Sequence, residues 1–392
     1  MSLFLGVASF SINYGCSASE DTVEPAVFDT TYRSSPLFLF DMANHRTASI
    51  ALNDIDEDGD LDVLIANGRH WAEQDYVFLN NGQGRLLSAF PISNELGASY
   101  DVLVADIDAD GKSDIVTIRD RLPIQVFKNN GSGEYTHLTD LEGSGGSARS
   151  GVLADLSGDG NLDLVVVNRL GFDKLYLGNT DASFQLGIDL PNTDGPSTGI
   201  GIADIDGDGD LDIGIARREG KSSLILINDG HAAFTTGIIE NSRGDHRQIL
   251  FADFTGDGKT DVLLGAVKGK NKLYLGDGGG GFAFSKNIGG EDRIIQALAS
   301  TDLDGDGDID FVEGASEQPN AVYFNKGNGE FIQMLLSDGE EDTYGVAIGD
   351  MDGDDIPDLV FANSDAANFV MLGTRENLLL VIGPIDESES AN

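Results

Sequence analysis

The chain has 392 residues, of which 40% are hydrophobic and 23% charged, and its formal net charge at pH 7 is −43. A chain of this length can bury a large core, whereas so large an excess of acid excludes nucleic acid as a partner, because phosphate binding requires a basic surface. The single cysteine, Cys16, excludes an internal disulfide and any cysteine-based zinc cluster.

The first twenty residues differ in composition from the rest of the chain. The apolar run MSLFLGVASFSI is too short to span a bilayer as a helix and has the length of a signal-peptide core. Gly15-Cys16 and small polar residues follow, a junction that resembles the lipidation site of bacterial lipoproteins, although no Lys or Arg precedes Arg33. We therefore expect residues 1–20 to be a signal or lipidation segment and the protein to be secreted or anchored at the cell surface. Any membrane contact would run through a lipid on Cys16; the alternative is an unmodified cysteine in a frayed terminus.

The remaining chain divides into three parts. Residues 21–46 read as a tether that ends in a candidate closing strand, AVFDTTY. Residues 47–382 consist of repeats, and residues 383–392 form an acidic tail. Because the repeats are continuous, we expect one domain rather than the two or three that length alone suggests, and we expect a monomer.

A nine-residue acidic segment marks each repeat, and the copy DIDGDGDLD begins at Asp204. The seven copies are spaced 48 to 52 residues apart. They begin at Asp54, Asp106, Asp155, Asp204, Asp253, Asp302 and Asp350. A period this regular indicates one supersecondary unit used seven times.

Alternate positions of this segment carry oxygen atoms that can converge on one ion. The first, third, fifth and ninth positions offer side-chain oxygens, and the seventh offers its backbone carbonyl. Six or more oxygens at this spacing suit Ca²⁺ better than Mg²⁺, so we expect up to seven calcium sites. The sixth position is glycine, which permits the left-handed backbone of a tight loop, except that Asp355 stands there in the last copy. The neutral hydroxyls of Ser157 and Thr255 at the third position predict two weaker sites.

The predicted metal ligands are the odd-numbered positions of the seven loops. They are Asp54, Asp56, Asp58, Asp60 and Asp62; Asp106, Asp108, Asp110, Lys112 and Asp114; Asp155, Ser157, Asp159, Asn161 and Asp163; Asp204, Asp206, Asp208, Asp210 and Asp212; Asp253, Thr255, Asp257, Lys259 and Asp261; Asp302, Asp304, Asp306, Asp308 and Asp310; and Asp350, Asp352, Asp354, Ile356 and Asp358.

An EF-hand is the nearest alternative, and the flanking residues exclude it. An EF-hand loop needs helices on both sides and a glutamate at its twelfth position, but the twelfth positions here are mostly apolar. Each loop is followed by a short run rich in β-branched residues, such as VLIA and LVVV, so the loop joins two strands. Glu313 is the one acid at position twelve, and we expect an arginine to pair with it, because a lone buried charge is costly.

Four candidate strands fall within each unit of about 49 residues, which is typical of a propeller blade. The sequence therefore predicts an all-β fold, a seven-bladed β-propeller of four-stranded antiparallel blades with a calcium loop between the first and second strand of each blade. Either the strand near Phe28 or the run Leu378 to Ile382 could close the ring, and the sequence leaves both open.

Loop, strands and glycine-rich hairpins together resemble the FG-GAP/VCBS repeats of bacterial surface proteins and of the integrin α-chain propeller. The match covers nearly the whole chain, about Thr47 to Leu380, although the Phe-Gly and Gly-Ala-Pro elements survive only as fragments such as Gly265-Ala266. The resemblance implies the propeller fold and calcium. It does not supply the function, since the family includes lectins, adhesins, lipoproteins and some lyases.

The face opposite the calcium loops collects many of the basic residues of this acidic chain, which makes it a candidate anion-binding surface. The candidate ligand-binding residues are Arg46, Arg69, His70, Trp71, Tyr100, Arg119, Arg149, Arg169, Arg217, Arg247 and Arg293. We expect a binding or adhesion module for an anionic polysaccharide or an extracellular protein. The alternative is a polysaccharide lyase acting on uronic-acid glycans, with Tyr100, Tyr344, His45 or His246 as the base; no local motif fixes such an active site.

Overall fold

The computed structural model describes residues 30–131, 135–336, 339 and 341–375. Cys16 with its signal-like segment, the run Leu378 to Ile382 and the acidic tail lie outside the described residues. Within the described ranges the chain forms strands and a single short 3₁₀ helix, Pro36–Phe38, and no helix there is long and apolar enough to cross a membrane.

The strands form seven antiparallel sheets, which are the blades of a propeller, so the predicted all-β, seven-bladed propeller of antiparallel blades is confirmed. Two short strands, β1 (Thr30–Arg33) and β2 (Leu39–Phe40), precede the first blade. Blades one to three comprise β3 (Thr47–Asn53), β4 (Asp62–Asn67), β5 (Tyr76–Leu79), β6 (Ser88–Pro91); β7 (Ser99–Ala105), β8 (Asp114–Arg119), β9 (Gln125–Asn129), β10 (Tyr135–Asp140); and β11 (Ala148–Ala154), β12 (Asp163–Asn168), β13 (Lys174–Tyr176), β14 (Ile188–Asp189).

Blades four to six comprise β15 (Ser197–Ala203), β16 (Asp212–Arg217), β17 (Leu224–Asn228), β18 (Phe234–Ile238); β19 (His246–Ala252), β20 (Asp261–Ala266), β21 (Asn271–Gly276), β22 (Phe282–Ile288); and β23 (Ile295–Thr301), β24 (Asp310–Ala315), β25 (Ala321–Asn325), β26 (Phe331–Leu335). The seventh blade contains β27 (Asp342–Gly349), β28 (Asp358–Ser364) and β29 (Asn368–Arg375).

The N-terminal segment closes the ring by completing the seventh blade. β1 pairs with the C-terminal half of β29, and β2 pairs with its N-terminal half, so the two short strands together take the place of a fourth strand. Of the two segments that the sequence left open, the N-terminal one therefore pairs in the structure. Strands from both chain ends meet in one sheet, which covers an edge that would otherwise be exposed.

The first strand of each blade packs against the first strands of both neighbouring blades, so these strands surround the central axis. The approach is close: a Cβ added to Gly199 in β15 would lie 2.3 Å from the carbonyl oxygen of Arg247 in the next blade. Small residues on these strands therefore set how tightly the ring can close.

The core lies between blades. The second strands are buried along their whole length, and between blades two and three Val116 and Val126 pack in one cluster with Leu164 and Tyr176. Burying one such aliphatic side chain stabilises the fold by roughly 1.5–3 kcal/mol. Because each cluster is shared by two blades, no blade has a complete core by itself.

The acidic loops occupy equivalent places in all blades. The first loop aspartate directly follows the first strand, and the ninth is the first residue of the second strand, as in Asp54 after β3 and Asp62 at the start of β4. All seven loops therefore lie on one face of the disc. The other ends of the first strands lie on the opposite face.

Candidate functional site

Each acidic loop is tied to its blade by the ninth aspartate. In the first loop, Oδ2 of Asp62 accepts a hydrogen bond from the N–H of Ile55 within the loop, at 3.0 Å, and Oδ1 accepts one from the N–H of Asn80 after the third strand, at 2.8 Å. The same two contacts recur in the other six blades. Burial raises the pKa of Asp310 and that of Asp358 to about 7. Because the two hydrogen bonds of the ninth aspartate hold each loop against its blade, the loop is already formed before a cation binds.

The first and fifth aspartates shape the loop by accepting backbone hydrogen bonds. In the fourth loop, Asp204 accepts N–H bonds from Gly207 and Gly209, and Asp208 accepts one from Asp210. The sixth residue has positive φ in every copy, from +80° to +97° at the six glycines and 63° at Asp355. The expected left-handed turn is thus present, and aspartate adopts it in the last loop.

In four loops, an oxygen of the third side chain has no hydrogen-bond partner. Oδ1 of Asp56, Asp108 and Asp352 and Oγ of Ser157 are buried and have no hydrogen-bond partner. A buried oxygen of this kind is costly unless a further group contacts it. In five loops, three carboxylate oxygens also lie within 4.8 Å of one another. The donor set is all oxygen, so these acidic clusters fit a hard cation and could hold a metal ion.

On the opposite face, the structure assembles a ring of side chains at the mouth of the central channel. Every first strand has a register shift after its first paired residue, so one extra residue bulges from each blade. Such a bulge redirects a side chain, and here it turns seven side chains toward the axis. The bulged residues are Ala48, Tyr100, Arg149, Thr198, Arg247, Gln296 and Tyr344.

Six of these residues, all except Ala48, line a cavity of about 250 Å³, which we call the central pocket. Loop residues add further basic side chains to its rim: Arg69, His70, Arg169 and Arg218. Five guanidinium groups thus surround one small cavity. Below them Asp101 accepts hydrogen bonds from the hydroxyls of Ser49 and Ser150, so that its two oxygens are already occupied.

Two of the five arginines have no counter-charge. Arg69 donates to Ser364 Oγ at 3.1 Å and Arg247 donates to the carbonyl oxygen of Gln296 at 3.0 Å, and in the described ranges neither has a carboxylate within 4.0 Å. Both guanidinium groups lie over the ring of Tyr344, at 3.8 and 4.9 Å from its centroid. Burial and the nearby cations lower the pKa of Arg247 to about 10.

A second group of contacts surrounds Tyr100. Its hydroxyl lies 2.8 Å from Nε2 of His70, and His70 Nδ1 lies 3.3 Å from Oδ2 of Asp120. Arg149 donates to the other oxygen of Asp120 at 2.8 Å and stacks over the Tyr100 ring at 4.2 Å. The phenol, the imidazole and the carboxylate therefore form one connected chain at the pocket wall.

The remaining two arginines pair with exposed acids. Arg169 donates to Glu219 at 2.7 Å, while its buried Nη1 has no partner. Arg218 lies 3.7 Å from Asp245, and its Nε likewise has no hydrogen bond. Both groups keep donor capacity that a bound anion could use.

Six of the eleven candidate ligand-binding residues line the central pocket, and the other five lie elsewhere. Arg119 and Arg217 are only 5% and 7% exposed and lie between blades near the buried Asp75 and Asp173. Arg293, 8% exposed, donates to Glu313 at 2.9 Å, so the expected pairing of Glu313 with an arginine is observed.

Arg46 pairs with Glu73 and Asp365 and lies over the ring of the exposed Trp71, outside the pocket. The two histidines proposed as alternative bases are also absent from its lining: His45 contacts Asp41 at 2.6 Å, and His246 is 2% exposed.

Thr198, Arg218 and Gln296 were not among the predicted ligand-binding residues, and Tyr344 was predicted only as an alternative base. For the three bulged residues, Thr198, Gln296 and Tyr344, the sequence does contain a signal. Every bulged residue precedes the first loop aspartate by six positions, so counting back from each loop identifies the ring. Arg218, on a connector, has no such signal.

Comparison with known proteins agrees with this architecture. The FG-GAP-like repeat matches at residues 54–117, 106–166, 155–215, 204–264, 253–313 and 302–361. Among curated proteins, a sequence search finds no significant match. Similar solved structures include BBS1N in complex with ARL6DN, soaked with mercury in one crystal and with lead in another. For both, the sequence identity is 14% and the TM-score 0.57, covering 83% of this chain and 91% or 92% of that chain.

At 14% identity these structures support the fold alone. The repeat matches extend over most of the chain, and each runs from one acidic loop to the twelfth position of the next. The chain therefore belongs to the FG-GAP-like repeat family.

Proposed function

We propose that this protein is an exported, calcium-binding propeller whose central pocket binds an anionic group of a polysaccharide. The observation that carries the proposal is the pair Arg69 and Arg247, two guanidinium groups that share Tyr344 and have no carboxylate of their own among the described residues. A carboxylate or sulfate would compensate both charges and could accept forked hydrogen bonds.

The shape of the pocket favours a single sugar unit. Its volume of about 250 Å³ is below the roughly 300–1,000 Å³ of pockets that enclose drug-sized ligands. Tyr100 and Tyr344 supply flat apolar surfaces beside the cations. A terminal or protruding uronate or sulfated sugar fits this combination better than a flat acidic protein surface, which would meet the ring only at its rim.

Calcium would act on the other face as a structural ion. In a loop that binds it, the first, third, fifth and ninth side chains and the seventh carbonyl would hold the ion, and an unpartnered oxygen at the third position would become a ligand. The ion would neutralise loop carboxylates that otherwise repel one another. In this proposal calcium maintains the disc and does not contact the sugar.

The test of the pocket is the substitution Arg247→Gln, which keeps a donor but removes the charge. We expect affinity for uronate or sulfated oligosaccharides, measured by isothermal titration calorimetry, to fall by about tenfold or more, since hydrogen bonds to charged groups contribute roughly 1.5–3 kcal/mol. The matched control is Arg243→Gln, an exposed arginine that does not line the pocket. The affinity of this control variant for the same oligosaccharides should equal that of the wild type.

Equal affinities in the two variants would exclude the central pocket as the binding site. Binding of an acidic protein but of no charged glycan, with the same dependence on Arg247, would keep the pocket and replace the polysaccharide by a protein partner. A protein that binds neither would contradict the proposal.

One observation favours a second candidate function, the lyase. The Tyr100 hydroxyl contacts His70, which contacts Asp120, so a proton could move between phenol and imidazole beside arginines that would neutralise a uronate. Incubation with alginate, pectin or ulvan would then give unsaturated products detectable by ultraviolet absorbance, and Tyr100→Phe would abolish them. Absence of such products with every uronic-acid substrate would leave the binding function.

A further inference from the structure

The second acidic loop differs from the others in the residue that lies beneath it. Lys128 is on β9, and its ammonium group contacts Oδ2 of Asp108 and lies 3.2 Å from Oδ2 of Asp110. These carboxylates are the third and fifth positions of the second loop, two of the groups predicted to bind the cation. The side chain of Asp108 is 7% exposed and that of Lys128 is 32% exposed, so the ammonium group reaches a buried carboxylate from the edge of the loop.

The equivalent residue is apolar in every other blade. In each blade, one backbone N–H after the third strand donates a hydrogen bond to Oδ1 of the ninth loop aspartate. The equivalent position is the residue immediately before that donor. The residues at this position are Leu79, Lys128, Leu177, Ile227, Leu275, Phe324 and Leu372. The fourth blade shows the same neighbourhood. A Cβ added to Gly280, on the hairpin of the fifth blade, would lie 3.3 Å from Ile227 and 3.9 Å from the Cβ of Asp206, the third loop residue of the fourth blade.

We infer that the ammonium group of Lys128 takes the place of the metal ion in the second loop, so that this loop is held closed by the chain's own cation while other loops depend on calcium. An ammonium group offers three donors and one positive charge to the third and fifth carboxylates, two of the groups that a metal would need, although Oδ1 of Asp108 keeps no hydrogen-bond partner. Calcium could bind only by displacing a tethered cation or by sitting against it, and both cost electrostatic free energy.

A lysine at the seventh loop position is placed differently from Lys128. Lys112 and Lys259 occupy that position in the second and fifth loops, where the proposed ligand is the backbone carbonyl. The ammonium group of Lys259 lies 3.7 Å from Asp257 and its side chain is 45% exposed, so it points outward. Lys128, by contrast, reaches the second loop from the third strand of its blade.

This inference rests on the proposed role of calcium, and the experiment separates the two. The amount of bound calcium per chain is measured by equilibrium dialysis and atomic emission for the wild type, Lys128→Leu and Leu79→Lys. Leucine is the natural residue at this position in the first blade, so Lys128→Leu should bind one calcium ion more than the wild type. Leu79→Lys should bind one fewer.

The matched control is Lys174→Leu, which removes a lysine from β13, the third strand of its blade, whose partner is Asp189 on β14 rather than a loop carboxylate. Its calcium content should equal that of the wild type. A wild type that binds calcium, with both loop variants unchanged, would overturn the inference; if Lys128→Leu does not fold, Leu79→Lys alone decides it. A wild type that binds no calcium would overturn the proposed role of calcium and this inference with it, while the central pocket would be tested separately.

Discussion

Arg293 forms a buried ion pair with Glu313 in the structure, although it was predicted from the sequence to bind a ligand. Glu313 is 1% exposed on β24, where most other blades have an apolar residue, and Arg293 reaches it from the connector between blades. Arg293 also donates to the carbonyl of Pro319. Burial raises the pKa of Glu313, while Arg293 opposes that effect. The arginine therefore serves the interior of the disc.

Replacing Arg293 by methionine should destabilise the fold because it leaves Glu313 buried without its counter-charge. We expect a loss of about 3 kcal/mol in the free energy of unfolding at pH 8, measured by urea denaturation. The loss should be smaller at pH 5, where Glu313 can take up a proton. The control is Lys286→Met, whose partner Glu330 is exposed, and which should cost less than about 1 kcal/mol. Equal losses in the two variants would contradict a buried pair.

At the scale of the strand, neighbouring blades are joined by a polar contact at the start of the third strand. In four blades, a residue there accepts an N–H bond within its own blade and contacts a hydroxyl at the start of the next blade's first strand. Asp173 contacts Ser197 in this way at 2.7 Å, and Asn320 contacts Thr343 at 3.0 Å. At this position aspartate occurs only where the second strand of the next blade supplies an arginine: Arg119 follows Asp75, and Arg217 follows Asp173. Where the next blade has Ala315, Asn363 or Asn67 in place of that arginine, the residue at this position is asparagine.

Because aspartate can ionise at this position and asparagine cannot, the stability contributed by the contact should depend on pH where the residue is aspartate. Burial raises the pKa of Asp173 from 3.8 to about 7, although Arg217 acts against the shift. Because the folded state holds a proton that the unfolded chain releases from about pH 4 upward, the stability contributed by Asp173 falls as pH rises from about 4 to about 7. Asparagine has no proton to lose.

Asp173→Asn should therefore be about as stable as the wild type near pH 4 and more stable at pH 8, by roughly 2–4 kcal/mol. Thermal or urea unfolding across this range measures the difference. The reciprocal variant Asn320→Asp places a carboxylate where the next blade has no arginine, and it should lose stability at pH 8 but not at pH 4. A constant difference across the range in both variants would show that Asp173 is ionised in the folded protein throughout.

At the scale of the whole molecule, charge and closure act against each other. The chain carries a net charge of −43, and its loops concentrate carboxylates on one face of the ring. Self-repulsion of this size destabilises a compact state. Among the described residues, the contacts that close the ring are short, since β1 and β2 pair with β29 along four and two residues. We therefore expect the stability of the ring to depend on a cation bound at the acidic face.

Removal of calcium should lower the unfolding temperature. With calcium at about ten times its Kd, each occupied loop stabilises the fold by roughly 1.4 kcal/mol, so chelation by EGTA should cost several kcal/mol in total. Added sodium chloride should restore part of that loss by screening the carboxylates. An unfolding midpoint that is the same with EGTA and with calcium would contradict a structural role for the ion.

The sequence alone was enough to predict the number of blades, the place of the loops and the antiparallel sheets. This was possible because the nine-residue segment repeats at a nearly constant spacing, and one local unit repeated in register permits few arrangements. The left-handed turn at the sixth loop position was predictable for the same reason, since it depends on neighbours in sequence only. The pairing of Glu313 followed from the cost of an isolated buried charge.

The tertiary structure decided everything that depends on which blades meet and which way a side chain points. Arg119 and Arg149 both read as exposed cations in the sequence, but burial between blades separates the first from the pocket, and a bulge directs the second into it. The closing strand and the contact of Lys128 with Asp108 are likewise set by packing across long distances along the chain or between strands. Local sequence determines local backbone, whereas the sharing of a charge, a cavity or a sheet edge arises only when distant segments are brought together.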